Sequence, residues 1–218
     1  PLEIKVWGDF ACFTRPEMKA ERVSYPVMTP SAARGILEAI FWKPEFSWNV
    51  KEIHVLNPIK HFSILRNEVN DKISLSAARA RLEKGQSYYA EDSRHRAQRH
   101  TLALRDVAYL IKGDVNLRPD VREDPAKHRD QFRRRVTKGQ CFSTPYFGCR
   151  EFTASFDGSD GSEKPIDLTD DLGLMLFDLD YAADGSGRGI PRFCHARLDR
   201  GIVRVPQELY LELEQKEA

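Results

Sequence analysis

The chain begins with apolar and polar residues in alternation. Leu2, Ile4 and Val6 are separated by Glu3 and Lys5. A period of two places successive side chains on opposite faces of an extended backbone, with one face apolar and the other polar. The first residues are therefore predicted to form a half-buried strand.

The apolar spacing then changes to three and four residues, which is typical of a helix. Apolar residues recur in this way between Ala33 and Ile40. Thr29 offers a side-chain oxygen as N-cap, and Pro30 suits the first helical position. Pro44 is expected to stop the helix after Trp42-Lys43.

A second helix has clear ends in the sequence. Asp124 is a cap residue, Pro125 follows it in the first turn, and Gly139 lies just beyond the last turn. The remaining pattern predicts strands at 51–56, 59–65, 101–111 and 147–156, and a short exposed helix at 74–83.

The order strand, helix, strand, strand, helix, strand predicts an α+β fold of the ferredoxin-like (RRM/RAMP) βαββαβ type over residues 1–156. A polar, glycine-rich stretch, Gly158–Ser162, marks the boundary. Beyond it, strands are predicted at 172–181, 192–198 and 202–205, with Gly201 in the last hairpin loop. Residues 157–218 are therefore expected to form a small C-terminal antiparallel β-sheet domain.

Composition narrows the class of protein. Hydrophobic residues make up 41% of the 218 positions, which excludes disorder as the main state. No apolar run approaches the roughly 20 residues that cross a bilayer, and no signal-peptide pattern is seen. The four cysteines are far apart and fit a reducing compartment. We expect a soluble, cytoplasmic protein without a membrane partner.

The total charge is close to neutral, but basic and acidic residues are concentrated in different segments of the chain. Residues 156–218 carry a net charge of −7, whereas residues 94–138 carry +7. Basic charge concentrated in one segment indicates an anionic partner, most often a nucleic acid. A solvated, salt-bridged surface is an alternative that charge alone does not exclude.

A basic cluster precedes the predicted strand at 101–111. Arginines that alternate with aromatic residues suit single-stranded RNA, because guanidinium groups pair with phosphates and rings stack on bases. The alternative is an exposed loop, and the histidine spacing does not favour a metal site. The cluster comprises Arg94, Arg96, Arg99 and Arg105, with His95, His100, Tyr88 and Tyr89.

The start of the second helix carries a sharper signal. Lys127 and His128 are the third and fourth residues after the Asp124 cap, where free N–H groups and the helix dipole favour an anion. A histidine that transfers protons and a lysine that stabilises negative charge suit metal-independent RNA cleavage. Alternatively, His128 belongs to the packed face formed with Phe132 and Val136. Further candidate RNA-binding residues on this helix are Arg129, Arg133 and Arg134.

Several segments resemble one group of CRISPR-associated proteins. They are WGDFACFTRPE at 7–17, TPSAARGILEAIFWKP at 29–44, FGCREF at 147–152 and DLGLMLFDLD at 171–180. The group is the fifth Cas family in its subtype I-C (Dvulg) form, which belongs to the RAMP endoribonucleases. The similarity extends over nearly the whole chain.

The resemblance implies cleavage of CRISPR precursor RNA within the repeat stem-loop, without a metal or other cofactor. It also implies retention of the product in the type I-C surveillance complex. The partners would be CRISPR RNA and the backbone and large Cas subunits, with double-stranded DNA as a further candidate. The alternative is a non-catalytic subunit that holds the 5′ handle of the CRISPR RNA.

The family pattern includes a catalytic set of Tyr, Lys and His. Its Lys-His pair corresponds to Lys127 and His128, and its Tyr corresponds to Phe41, which has no hydroxyl. We therefore interpret Phe41 as a wall of the active site. Tyr25 and His100 are candidates for the missing group, and the alternative is slower or rearranged cleavage.

Overall fold

The computed structural model describes residues 2–18, 20–70, 72–87, 96–181 and 189–217. The strands are β1 (Leu2–Ala11), β2 (Arg22–Val23), β3 (Phe46–Val55), β4 (His61–Val69), β5 (Arg96–Leu117), β6 (Ser155–Gly158), β7 (Asp170–Tyr181), β8 (Gly189–Asp199) and β9 (Ile202–Arg204). The helices are α1 (Pro30–Ile40), α2 (Leu75–Glu83), α3 (Pro125–Thr137) and α4 (Glu208–Glu217).

The central part of the sheet has the strand order β6-β1-β5-β3, with every neighbouring pair antiparallel. Helix α1 connects β1 to β3, and α3 connects β5 to β6. This is the connectivity of a βαββαβ unit, so the predicted ferredoxin-like α+β fold is confirmed. The two helices contact each other and lie over the same sheet.

Strand β5 is the longest, with 22 residues. Its second half lies between β1 and β3, where Ile111 is paired with both Ile4 and Ile53. All three of these side chains are buried. Its first half pairs with β4 and with β2. Ala103 and Leu104 of this half belong to the main core, whereas none of residues 96–100 is buried.

Both core helices begin as the cap residues predict. Thr29 Oγ1 accepts a hydrogen bond from the Ala32 N–H at 3.2 Å, and Asp124 Oδ1 accepts one from the Ala126 N–H at 2.8 Å. Helix α1 ends at Ile40, earlier than expected, because Phe41 is extended and its carbonyl accepts a hydrogen bond from Trp48 Nε1 at 2.8 Å.

The predicted strand at 147–156 is wrong over most of its length, since only the part from Ser155 onward forms β6. The Phe147 N–H donates to the Phe152 carbonyl at 2.7 Å, which closes a tight turn. Gly148 lies inside it with φ of +79°, a conformation that favours glycine. Buried Phe147 and Phe152 account for the apolar pattern that is typical of a strand.

The three C-terminal strands are confirmed. Their sheet order is β9-β8-β7, and β9 pairs with β3, so they extend the same sheet. Arg200 and Gly201 both have positive φ, which is the conformation of a two-residue hairpin turn. The predicted domain boundary after residue 156 falls inside β6 and stays a prediction. Within the described part of the chain, no helix is long and apolar enough to span a membrane.

Replacing Gly148 with Ala should destabilise the fold. A Cβ at this position would lie 2.0 Å from the Cys12 carbonyl oxygen, and the positive φ disfavours any side chain. We expect Gly148→Ala to lower the free energy of unfolding by about 2–4 kcal/mol, as measured by urea denaturation.

Gly35→Ala is the matched control for this substitution. Gly35 lies within α1, and a Cβ there would meet no atom within 4 Å. Alanine should therefore raise the free energy of unfolding by up to about 1 kcal/mol through its helix propensity. Equal unfolding midpoints for the two variants would contradict the strained turn at Gly148.

Candidate active site

The first turn of α3 faces the junction between α1 and β3. Lys127 and His128 follow the Asp124 cap, and the Lys127 N–H donates to the Asp124 carbonyl at 3.1 Å. Phe41 follows the last residue of α1, and Phe46 is the first residue of β3. The structure thus brings together the predicted pair and the residue at the tyrosine position.

His128 is completely buried, with 0% of its surface exposed. Its ring lies 5.1 Å from the Phe46 ring and 6.4 Å from the Phe41 ring, measured between centroids. Among the described residues, neither ring nitrogen has a hydrogen-bond partner of suitable geometry. An unpaired buried polar group costs about 1–3 kcal/mol, so a side chain chosen only for packing would be apolar here.

Glu123 contacts both members of the pair. Its Oε1 lies 2.8 Å from Lys127 Nζ, and its Oε2 lies 3.0 Å from His128 Nε2. The second contact has the distance of an ion pair, which forms when the imidazole is protonated. The hydrogen bond from Lys127 is the main cause that holds the pKa of Glu123 below its usual value. Lys127 itself is exposed.

Phe41 forms one side of the histidine pocket and is 2% exposed. Arg135 lies over its ring, with 5.3 Å between Cζ and the ring centroid. The same guanidinium donates from Nη1 to the Ile40 carbonyl at 3.0 Å. These contacts hold the ring beside His128 but supply no hydroxyl, as expected for a wall.

The arginines of α3 differ in their partners. Arg129 Nε lies 2.7 Å from Asp114 Oδ1 on β5, and Arg133 Nη1 lies 2.9 Å from Asp130 Oδ1. Burial raises the pKa of Asp114, but the hydrogen bonds from Arg129 and the Val115 N–H and the charges of Arg129 and Lys51 together outweigh it, so this pKa is lowered overall. Arg134 is exposed and forms no ion pair with a described residue. It is the α3 arginine most accessible to an anionic ligand.

The other predicted RNA-binding arginines lie on the first half of β5. Arg99 is half-buried beside Glu68, at 3.4 Å, whereas Arg96 and Arg105 are exposed. A strand rises about 3.3 Å per residue, so Arg99 and Asp114 are separated by up to about 50 Å along β5. Arg99 lies opposite Arg66 of β4 and Arg105 opposite Phe10 of β1, whereas α3 is joined to β5 at Asp114 through Arg129.

Four residues of the predicted basic cluster cannot be placed in this way. Arg94, His95, Tyr88 and Tyr89 lie outside the described residues. Arg94 in particular is expected to bind RNA beside Arg96, and this remains a prediction.

The two candidates for the missing tyrosine hydroxyl lie elsewhere. His100 is on β5, paired with Leu65 of β4, and its Nδ1 is 3.4 Å from Ser63 Oγ. Tyr25 is buried under the Arg15 guanidinium, 4.5 Å from its ring centroid. Neither residue adjoins the first turn of α3, where the proton transfer would take place.

Sequence reasoning missed the roles of Glu123, Arg135 and Phe46. Glu123 is four residues before Lys127, a spacing that favours an ion pair on a helix and was the available signal. In the sequence pattern, Arg135 is only one of several basic residues on α3, and nothing marks it as a contact of Phe41. Phe46 gives no local signal, because its position beside His128 depends on how β3 enters the sheet.

Comparisons with known proteins agree on one family. The model of the family described as CRISPR-associated protein (Cas_Cas5) matches residues 1–206. A protein of Thermus thermophilus named CRISPR pre-crRNA endoribonuclease Cas5d is 47% identical over 227 residues, covering 97% of this chain and 94% of the relative.

Solved structures show the same fold. One described as a CRISPR-associated protein has a TM-score of 0.66 at 24% identity and covers 95% of this chain and 92% of its own. A chain from a CRISPR RNA-guided surveillance complex has a TM-score of 0.51 at 11% identity, covering 99% of this chain and 98% of its own.

The unpaired burial of His128 predicts a gain in stability when it is made apolar. His128→Leu keeps a similar volume and removes two buried nitrogens, of which Nδ1 has no hydrogen-bond partner among the described residues and Nε2 has only the contact with the exposed Glu123 carboxylate. We expect the free energy of unfolding to rise by about 1 kcal/mol in urea denaturation at pH 8. Phe132→Leu on the same helix should instead lower the free energy of unfolding by about 1–2 kcal/mol, because the smaller side chain leaves part of a packed position unfilled. A loss above about 2 kcal/mol in His128→Leu would show that packing explains the histidine.

Proposed function

This chain belongs to the CRISPR-associated Cas5 family, and we propose that it is a metal-independent endoribonuclease that cleaves CRISPR precursor RNA within the repeat. The relative from Thermus thermophilus is named a CRISPR pre-crRNA endoribonuclease, and the match covers almost the whole chain. We propose further that the cleaved RNA stays bound, and that the protein is a subunit of the type I-C surveillance complex. The fold is shared with a chain from a CRISPR RNA-guided surveillance complex, which is compatible with this role.

The observation that supports the activity best is the environment of His128. The ring lies at the start of α3, is fully buried, and has nitrogens without suitable hydrogen-bond partners among the described residues. Lys127 precedes it and carries an exposed ammonium group. A proton-transfer group beside a cation, at the positive end of a helix, is what cleavage at a phosphate requires.

The proposed reaction is attack of a ribose 2′-oxygen on the adjacent phosphorus. The P–O bond to the 5′-oxygen of the next nucleotide breaks, which leaves a 2′,3′-cyclic phosphate and a 5′-hydroxyl. His128 transfers a proton as general acid or base, and Lys127 stabilises the charge that develops on the phosphorane oxygens. Phe41 closes one side of the pocket and takes no part in proton transfer.

A specific observation favours a second candidate function. Phe41 replaces the tyrosine of the family pattern, and its ring, which carries no hydroxyl, lies beside the buried imidazole of His128. A chain without cleavage activity would still present Lys127 and Arg134 to RNA. On this alternative the protein holds the 5′ handle of the CRISPR RNA without cutting it.

Replacing His128 with Ala separates the two functions. If His128 transfers a proton, cleavage of repeat RNA should slow by about 10²–10⁴-fold, while the Kd for RNA changes little. The measurement is single-turnover cleavage of labelled repeat RNA in excess EDTA. A rate within threefold of the parent protein would refute the assignment, and no cleavage by the parent itself would favour the binding subunit.

A salt titration tests whether the first half of β5 binds RNA. Removing one cation that pairs with a phosphate of single-stranded RNA flattens the plot of log K against log salt by about 0.7. Replacing Arg96, Arg99 and Arg105 together with Ala should thus reduce the slope by up to about 2.

The matched control removes three positive charges from β8 and the turn that follows it. It carries Ala at Arg192, Arg197 and Arg200, and its slope should stay close to that of the parent. Equal slopes for the parent and the β5 variant would place the RNA elsewhere on the protein.

A further inference from the structure

The carboxylate of Glu123 binds the two candidate catalytic side chains with one oxygen each. Oε1 is 2.8 Å from Lys127 Nζ and Oε2 is 3.0 Å from His128 Nε2. The two non-bridging oxygens of a phosphodiester are likewise bonded to a single atom, so they could contact the same lysine and histidine. The carboxylate therefore lies where the charge of an RNA phosphate would be stabilised.

The surroundings favour an anion at this place independently of Glu123. The first turn of α3 presents the positive end of the helix dipole. His128 is fully buried, and its Nε2 is directed at the site, where Glu123 Oε2 is the contact given for it. Without the carboxylate this buried nitrogen would have no partner among the described residues, so the place requires either Glu123 or another anion.

We infer that Glu123 occupies the subsite of the scissile phosphate in the free protein and is exchanged for that phosphate when RNA binds. This rests on the proposed function, since it names the group that the RNA must displace. Glu123 is then a positioning residue: it limits access of anions to Lys127 and His128 but takes no part in proton transfer.

Glu123 is placed so that it can leave. It precedes the Asp124 cap and so lies outside the hydrogen-bonded body of α3. Its side chain is 39% exposed, and both of its described contacts are made by the carboxylate. The lowered pKa, caused mainly by Lys127, keeps it anionic at neutral pH, so it competes directly with a phosphate. Exposed ion pairs are weak, which makes the exchange easy.

The other acidic groups near the first turn differ in their roles. Asp124 is engaged as the helix cap through its hydrogen bond from the Ala126 N–H. Asp120 is exposed in the same loop, three residues before Glu123, and makes no described ion pair. Asp120→Asn removes the same charge from the same loop without vacating the subsite, so it is the matched control.

The rival role for Glu123 is to orient the imidazole of His128, as carboxylates do in many proton-transfer sites. The two roles have opposite kinetic consequences. Removing a competitor strengthens RNA binding and lowers KM, whereas removing an orienting group lowers kcat. A split between KM and kcat therefore distinguishes them.

The test compares Glu123→Gln with Asp120→Asn. Affinity is measured with repeat RNA that carries 2′-O-methyl groups throughout, which has no nucleophile and is not cleaved. Cleavage of unmodified repeat RNA gives kcat and KM. We expect Glu123→Gln to lower both the Kd and KM by about three- to tenfold with kcat within twofold of the parent, and Asp120→Asn to change each by less than twofold.

Three results would overturn the exchange. A kcat reduced more than tenfold at unchanged Kd would make Glu123 an orienting group. Equal decreases of Kd in both variants would reflect general charge alone, and an unchanged Kd in Glu123→Gln would exclude competition. If the parent protein does not cleave RNA, the endonuclease proposal fails, but the Kd comparison still decides whether Glu123 competes with a phosphate.

Discussion

The antiparallel insertion of β5 between β1 and β3 is the constraint on which the candidate site depends. Because β1 and β3 both pair with the second half of β5, the chain must cross the sheet from one to the other, and α1 makes this crossing. Helix α3 makes the equivalent crossing from β5 to β6 over the same sheet. The end of α1 thereby meets the start of α3, which places Phe41 beside His128 although 87 positions separate them in the sequence.

The packing beneath this junction is aromatic and close. Trp48 lies 4.8 Å from Phe132 and 5.6 Å from Phe46, measured between ring centroids. Its Nε1–H donates a hydrogen bond to the Phe41 carbonyl, so the indole ring is packed and its polar group has a partner. His128 lies beside Phe46 in this aromatic packing, and its nitrogens lack suitable hydrogen-bond partners among the described residues. Such a group is retained at a cost in stability, which is common at sites that are selected for chemistry.

The parts of the fold that depend on local physics could be predicted from the sequence. The caps Thr29 and Asp124, the alternation in β1 and the turn at Gly201 each act within a few residues. The turn at Phe147–Phe152 could not, because its apolar residues fill the core without forming a strand. The continuity of β9 with β3 was missed for a related reason, since strand pairing at long separation leaves no local pattern. At the site, the sequence indicated an anion at the start of α3. The spacing of His128, Phe132 and Val136 also indicated a packed face as the alternative, and all three residues are buried. The position of Glu123 beside His128 was not indicated.

An RNA that contacts both the arginines on the first half of β5 and the first turn of α3 must reach from one group to the other. The arginines lie on the first half of the 22-residue strand β5, whereas α3 is joined to its second half at Asp114. A phosphate held at Lys127 therefore belongs to a different part of the RNA from one held at Arg96. Phosphate contacts at those arginines would fix the position of an RNA without reading its sequence, because phosphates are common to every nucleotide. The shape of a stem-loop is then one feature that could place a particular bond at Lys127.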